Sequence, residues 1–103
     1  RGSAPDIVWE PCSGDGRIAA ELRNKGVSTV IETDIVSGQN FFEFDTALAP
    51  IIITNPPFRH IRPFIDHAFD IGVQQMALVC GERLRIIWRR EGSLIVLWQC
   101  LCG

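Results

Sequence analysis

Ile7-Val8-Trp9-Glu10-Pro11-Cys12-Ser13-Gly14-Asp15-Gly16-Arg17 is the stretch whose reading decides the fold. Ile7-Val8-Trp9 has the pattern of a short buried strand, and Glu10-Pro11 closes it. Cys12 to Gly16 reads as a tight loop, with glycines where the backbone must turn. Arg17 to Lys25 reads as a helix: Ile18 and Leu22 share one face, Ala19 and Ala20 flank them, and Gly26 supplies the stop. Val27 to Ile35 is then a second strand, rich in β-branched residues. Strand, glycine loop, helix and strand follow within about thirty residues, the size of a βαβ unit.

Outward from that unit, Ser37-Gly38-Gln39-Asn40 is a turn cluster, and Phe41 to Asp45 reads either as a short strand or as a turn packed by its phenylalanines. Pro50 precedes Ile51-Ile52-Ile53, apolar on both faces as a central parallel strand is. Two prolines in Asn55-Pro56-Pro57-Phe58 stop that strand and stiffen the chain leaving it. Arg62 to Ile71 fits a helix with Pro63 in its first turn and Phe64, Ile65, Ala68 and Phe69 inward. Met76 to Val79 is another buried strand. We read Glu82 to Glu91 as a basic helix and Leu94 to Trp98 as a last strand. The alternation predicts one α/β domain over 1–103 with a mostly parallel sheet.

The composition excludes several classes. With 47% hydrophobic and 21% charged residues the chain is not disordered throughout. Its net charge of −2 excludes a histone-like polycation. The front half is acidic and the back half basic. Leu94–Trp98 is as long as any apolar run, far below the roughly 18 residues a membrane span needs. No secretory signal is evident, so a cytoplasmic location away from membranes is expected. The cysteines at 12, 80, 100 and 102 form no C-x-x-C pair. They read as reduced thiols, and no metal site is expected.

Ligands of open α/β sheets bind at the carboxyl ends of the strands, where strand order reverses. Three polar clusters fall at such ends. In the first, Gly14-x-Gly16-x-x-Ala19 matches a dinucleotide pattern, a weak signal by itself and compatible with a bare strand-to-helix turn. Glu10 and Asp15 bring carboxylates to that loop; these repel a pyrophosphate and suit a cationic amino group. In the second, Asp34 can accept hydrogen bonds from ribose hydroxyls, or stand as a solvated strand-end acid. In the third, the Asn55 side chain and the Pro56 carbonyl can accept from one exocyclic amine, Pro57 helps fix their spacing, and the Phe58 ring can stack on a base. The plainer alternative there is a proline turn with a core phenylalanine.

Glu10-Pro11-Cys12-Ser13-Gly14-Asp15-Gly16 resembles the cofactor loop of class I S-adenosylmethionine-dependent methyltransferases. Asn55-Pro56-Pro57-Phe58 resembles the catalytic motif of the amino-methylating branch, especially phage and prophage DNA adenine N6-methyltransferases. The resemblance covers about residues 6–80 and implies a Rossmann-like methyltransferase fold. It implies that Glu10, Gly14 and Gly16 line the methionine end of S-adenosylmethionine and that Asp34 holds its ribose. Asn40-Phe41 stands where the family often has an acidic residue before an aromatic, against the cofactor adenine; the Asn40 oxygen can still accept from the adenine amine. Asn55 and Pro56 would hold the target amine, and Phe58 would stack on the flipped base.

The family also carries a helix ahead of the first strand, an antiparallel strand pair closing the sheet, and often a target-recognition domain. Only six residues precede Ile7 and the chain does not begin with Met, so we expect a truncated domain. The apolar segment Leu94–Leu101 is the candidate surface for a homodimer. Arg59, Arg62, Arg83, Arg85, Arg89 and Arg90 favour nucleic acid, with DNA preferred, as the partner, although such charges also suit a solvated face. RNA adenine, a protein glutamine amide, and an inactive cofactor-binding fragment are the alternatives. A nicotinamide dehydrogenase is disfavoured by Glu10 and the proline tetrapeptide.

Overall fold

The computed structural model describes residues 5–80, 83–89 and 94–96. Its elements in chain order are β1 (Ile7–Glu10), α1 (Arg17–Asn24), β2 (Thr29–Glu32), β3 (Ile51–Thr54), α2 (Ile61–Asp70), β4 (Gln75–Cys80), β5 (Arg83–Arg89) and β6 (Leu94–Val96). The strands form one sheet in the order β2-β1-β3-β4-β5-β6. The first four run parallel, with Val8 opposite Val30, Trp9 opposite Ile52 and Ile52 opposite Met76. β5 joins antiparallel to β4, and β6 antiparallel to β5. The architecture is α/β with a parallel centre, compatible with a Rossmann-like fold.

The two-residue period of the strands divides the core between the two faces of the sheet. Val8 and Val30 pack with Ala19 and Val27, against which Leu22, Ile51 and Ile53 lie. The alternate residues, Trp9 and Ile52, pack with Phe64, Ile65 and Ala68 of α2 and with Phe41, Met76 and Leu78. One helix therefore covers each face. Trp9, fully buried, satisfies its indole N–H by donating to Thr33 Oγ1 at 3.0 Å.

Two local expectations need correction, and one open alternative is decided. β2 covers only Thr29–Glu32 of the expected Val27–Ile35. The chain turns at Asp34 because its carboxylate accepts from the Val36 amide and caps a 3-10 turn, Ile35–Ser37. Of the two readings of Phe41–Asp45, the packed turn is the one found: Asn40 caps a 3-10 turn over Phe41–Glu43. The basic helix expected over Glu82–Glu91 is instead strand β5 across Arg83–Arg89. Leu84, Ile86 and Trp88 alternate with Arg83, Arg85 and Ile87, a two-residue period, and β4 offers an edge for that strand to pair with. Residues 97–101 of the proposed dimer surface lie outside the described residues, as do Arg90, Cys100 and Cys102.

The order of the central strands fixes where a ligand can enter. β1 leads through α1 to β2 on one side, and β3 lies on the other side of β1. The carboxyl ends of β1 and β3 thus flank the topological switch point, where the connections diverge and leave a crevice.

Candidate functional site

Glu10 ends β1 at that switch point and is 1% exposed. Its Oε1 accepts from the Cys12 amide at 2.9 Å and from the hydroxyl of Thr54, the last residue of β3. Its Oε2 is buried and has no hydrogen-bond partner. Burial pushes this carboxyl up to about 6; the bonds from Thr54 and Cys12 pull it down, and the nearby carboxylates of Glu32 and Asp34 raise it further.

The loop after β1 is shaped by two glycines with positive φ, Gly14 at +52° and Gly16 at +84°. Gly16 is the N-cap position of α1, and its amide donates to Ser13 O at 2.8 Å. The Gly14 amide donates to Asp34 Oδ2 at 2.5 Å, while Val36 N donates to Asp34 Oδ1 at 3.1 Å. Asp34 therefore ties the loop to the end of β2, and each of its oxygens retains a lone pair for a further donor.

Two cavities open beside the loop. The first, about 300 Å³, is lined by Glu10, Cys12, Ser13, Gly14, Asp15, Arg17, Ile18 and Asn55. The second, about 210 Å³, is lined by Pro11, Cys12, Asp34, Ile35, Asn40, Phe41, Phe42, Pro57 and Phe64. Cys12 borders both. Its thiol is pushed up to about 11, chiefly by burial, so it is a poor nucleophile.

The structure brings Glu10, Gly14 and Asn55 to the first cavity, and Asp34, Asn40, Phe41 and Pro57 to the second. The proline tetrapeptide straddles them: Asn55 is exposed on one side and Pro57 on the other, with Pro56 buried between. Gly16 lines neither cavity and acts through the turn. The Phe58 ring, expected to stack on a base, lies outside the described part. Asn40 Oδ1 already accepts from Phe42 N at 2.9 Å, so a ligand amine would be its second donor. Phe41 is mostly a core residue: its ring stacks on Phe64 at 4.3 Å between centroids and 20° between planes.

Sequence reasoning missed several lining residues. Phe42, half-exposed beside Phe41, and Ile35 form the apolar outer wall of the second cavity. Their signal was an apolar residue placed in a turn. The sequence places Cys12 in the loop and reads its side chain as a reduced thiol, without assigning it the place it has on both cavities. Thr54 lines neither cavity but holds Glu10 from behind, and a hydroxyl one position before Asn55 is the available clue. His67, seven residues beyond His60, packs by its ring edge against Phe41 and meets Phe44 O through Nε2 at 2.9 Å.

Fold and site together define a class: an open α/β sheet with a two-part crevice at its topological switch point. Beyond that class the comparisons add no relative: no family model, curated protein or solved structure matches the chain. Among the described residues, no helix is long and apolar enough to cross a membrane, and no group of three His, Cys, Asp or Glu side chains could hold a metal ion.

Proposed function

We propose that the chain binds S-adenosylmethionine across the two cavities and transfers its methyl group to an exocyclic amine, with adenine N6 in DNA as the preferred substrate. The observation that carries this reading is the meeting of Asn55 with Glu10 and Gly14 on one cavity, although the two segments lie 45 residues apart in sequence. A cationic cofactor suits a cavity lined by two carboxylates, Glu10 and Asp15. The second cavity, walled by Phe41, Phe42 and Pro57 and edged by Asp34 and Asn40, suits a flat base with its ribose.

In this reading the residues act by position and electrostatics. Asp34 accepts from the ribose hydroxyls with its remaining lone pairs. Asn55 Oδ1 and the Pro56 carbonyl accept from the target amine and aim its lone pair at the methyl group. Arg59 and Arg62, both exposed and following the tetrapeptide, would meet phosphates in this reading, Arg62 also lying 3.6 Å from Asp66.

The test is transfer of labelled methyl from S-adenosylmethionine to adenine-containing DNA, followed by digestion to nucleosides. N6-methyladenine is the expected product. Asn55→Ala is expected to lower the rate by about 10²–10³ while sparing the fold, the loss typical of one positioned polar group. Product on RNA or on a protein glutamine alone would keep the chemistry and overturn the substrate. Cofactor binding without product on any of them would make the chain a binding module.

A further inference from the structure

The walls of the second cavity come from two sources. Phe64 belongs to α2, and Pro57 lies just ahead of that helix. Ile35, Asn40, Phe41 and Phe42 belong to the segment between β2 and β3, whose only regular pieces are two 3-10 turns. The second turn closes on itself: Glu43 N donates to Asn40 O at 2.9 Å and Phe44 N to Phe41 O at 3.2 Å. Those bonds do not place the turn on the sheet, and a single 3-10 turn is weak by itself. Its rings can serve as fixed walls only if another element holds them.

His67 holds them from α2. Its Nε2 lies 2.9 Å from the carbonyl oxygen of Phe44, the residue that ends the turn. A carbonyl oxygen only accepts, so Nε2 is the nitrogen that carries the hydrogen. The imidazole stands at 84° to the Phe41 ring, 5.1 Å between centroids, and at 46° to the Phe42 ring, 5.5 Å away. One half-buried side chain thus meets Phe41, Phe42 and Phe44. Phe41 has further support from Trp9 and Phe64. Phe42 is 44% exposed, and its ring lies against Phe41 and His67. His67 follows Phe64 by three residues, so both share one face of α2. That face sets one wall directly through Phe64 and the opposite wall through His67, which itself lines neither cavity.

We propose that His67 is a positioning residue of the second cavity. Its Nε2–H bond to Phe44 O and its ring contacts lock the Phe41–Glu43 turn onto α2, so that Phe41 and Phe42 stand ready for a flat ring. That the ring is a nucleoside base rests on the methyl-transfer reading; the lock itself does not. Because α2 also follows directly from the proline tetrapeptide, one helix then sets the walls of the cavity and the exit of the candidate catalytic motif.

Affinity separates this role from a merely structural one. A residue that only stabilises the fold changes the folded fraction and leaves the affinity of fully folded protein unchanged. The probe is 5′-methylthioadenosine, which carries adenine and ribose without an amino-acid arm, titrated calorimetrically under conditions where denaturation curves show each chain folded. His67→Phe keeps a ring and loses the donor, His67→Gln keeps a donor and loses the ring, and His67→Ala loses both. His67→Phe should bind about fivefold more weakly than the parent, the scale of one net hydrogen bond, and His67→Ala about tenfold. His67→Gln should recover part of the loss seen in His67→Ala. Parent-like affinity in folded His67→Ala would overturn the proposal, and so would a His67→Gln that binds no better than His67→Ala.

A second measurement uses the parent chain. Proton–nitrogen correlation spectra of the imidazole rings distinguish the two neutral tautomers, and the chain has two histidines, so the His67→Gln spectrum identifies the His67 signals. The Nε2–H form is expected; the Nδ1–H form cannot donate to Phe44 O and would remove the lock. If 5′-methylthioadenosine does not bind the parent chain, the nucleoside reading of the cavity fails and the lock is decided without ligand. Backbone order parameters at Phe42, Glu43 and Phe44 should then fall from the rigid value of about 0.85 in His67→Ala while those of β1 and β3 hold. Unchanged order in the turn would overturn the proposal.

Discussion

The two cavities share Cys12 and a rim of the same sheet, yet they are finished in different ways. In the second, the polar groups are already engaged: Asp34 accepts from the Gly14 and Val36 amides, and Asn40 from the Phe42 amide. Its walls are aromatic rings locked by packing, with Phe41 held between Trp9, Phe64 and His67. In the first, Glu10 keeps one buried oxygen unpartnered. Packing preorganises the shape of one cavity, while the other retains an uncompensated polar atom. The contrast teaches that two cavities on one sheet rim can differ in how far their polar groups are satisfied by the protein itself.

The largest expected effect comes from breaking the packed half. Phe41→Ala removes a buried ring stacked on Phe64 and should destabilise the fold by about 3–5 kcal/mol, read by urea denaturation. A loss below about 1 kcal/mol would place Phe41 in a loose wall rather than in the core.

Asp34→Ala probes the seam between the halves. Its loss should weaken S-adenosylmethionine by about 1.5–3 kcal/mol in titration, the scale of a hydrogen bond to a charged acceptor. Unchanged affinity would limit Asp34 to its role as a loop tie.

The unfinished half should reveal itself in the pH dependence of stability. The Glu10 carboxyl rises from 4.5 to about 6 on folding, so the native state holds its proton more tightly than the unfolded chain. Its stabilising contribution is therefore full below pH 4.5 and is lost as pH rises through 6. The difference is about 2 kcal/mol across that window. Chemical denaturation of the unliganded chain at pH 4.5 and pH 7 should show that component, and Glu10→Gln should remove it. An identical pH profile in the variant would assign the slope to other groups.

The smallest effect belongs to the brace behind the second cavity. His67→Phe keeps the ring against Phe41 but loses the bond to Phe44 O, at a cost of about 1 kcal/mol of unfolding free energy, read from the shift of the denaturation midpoint.

Much of the frame was legible from the chain. Ile7–Trp9, the helix after Gly16 and the Ile51–Ile53 strand stand where apolar pattern and glycine placement put them, because burial on one face or both leaves a periodic trace. The β5 segment reads as a basic helix because Arg83, Arg85, Arg89 and Arg90 suggest a solvated helix face; the edge of β4 turns the same stretch into a strand. The short 3-10 turns after Asp34 and Asn40 were not legible, since an Asp or Asn side chain capping its own backbone competes with strand and turn alike.

By itself the sequence determined which residue types end the strands: Glu10 and a glycine loop after the first, Asp34 after the second, Asn55 and two prolines after the third. These are local facts of pattern, backbone permission and side-chain chemistry. Only the tertiary structure decided how those ends share space. Placing β3 beside β1 brings the Thr54 hydroxyl to Glu10 across 44 residues of sequence. Both donors then meet the same carboxylate oxygen and leave the other without one. Hydrogen-bond satisfaction of a buried group depends on the direction of every neighbour around it, and a one-dimensional pattern does not contain those directions.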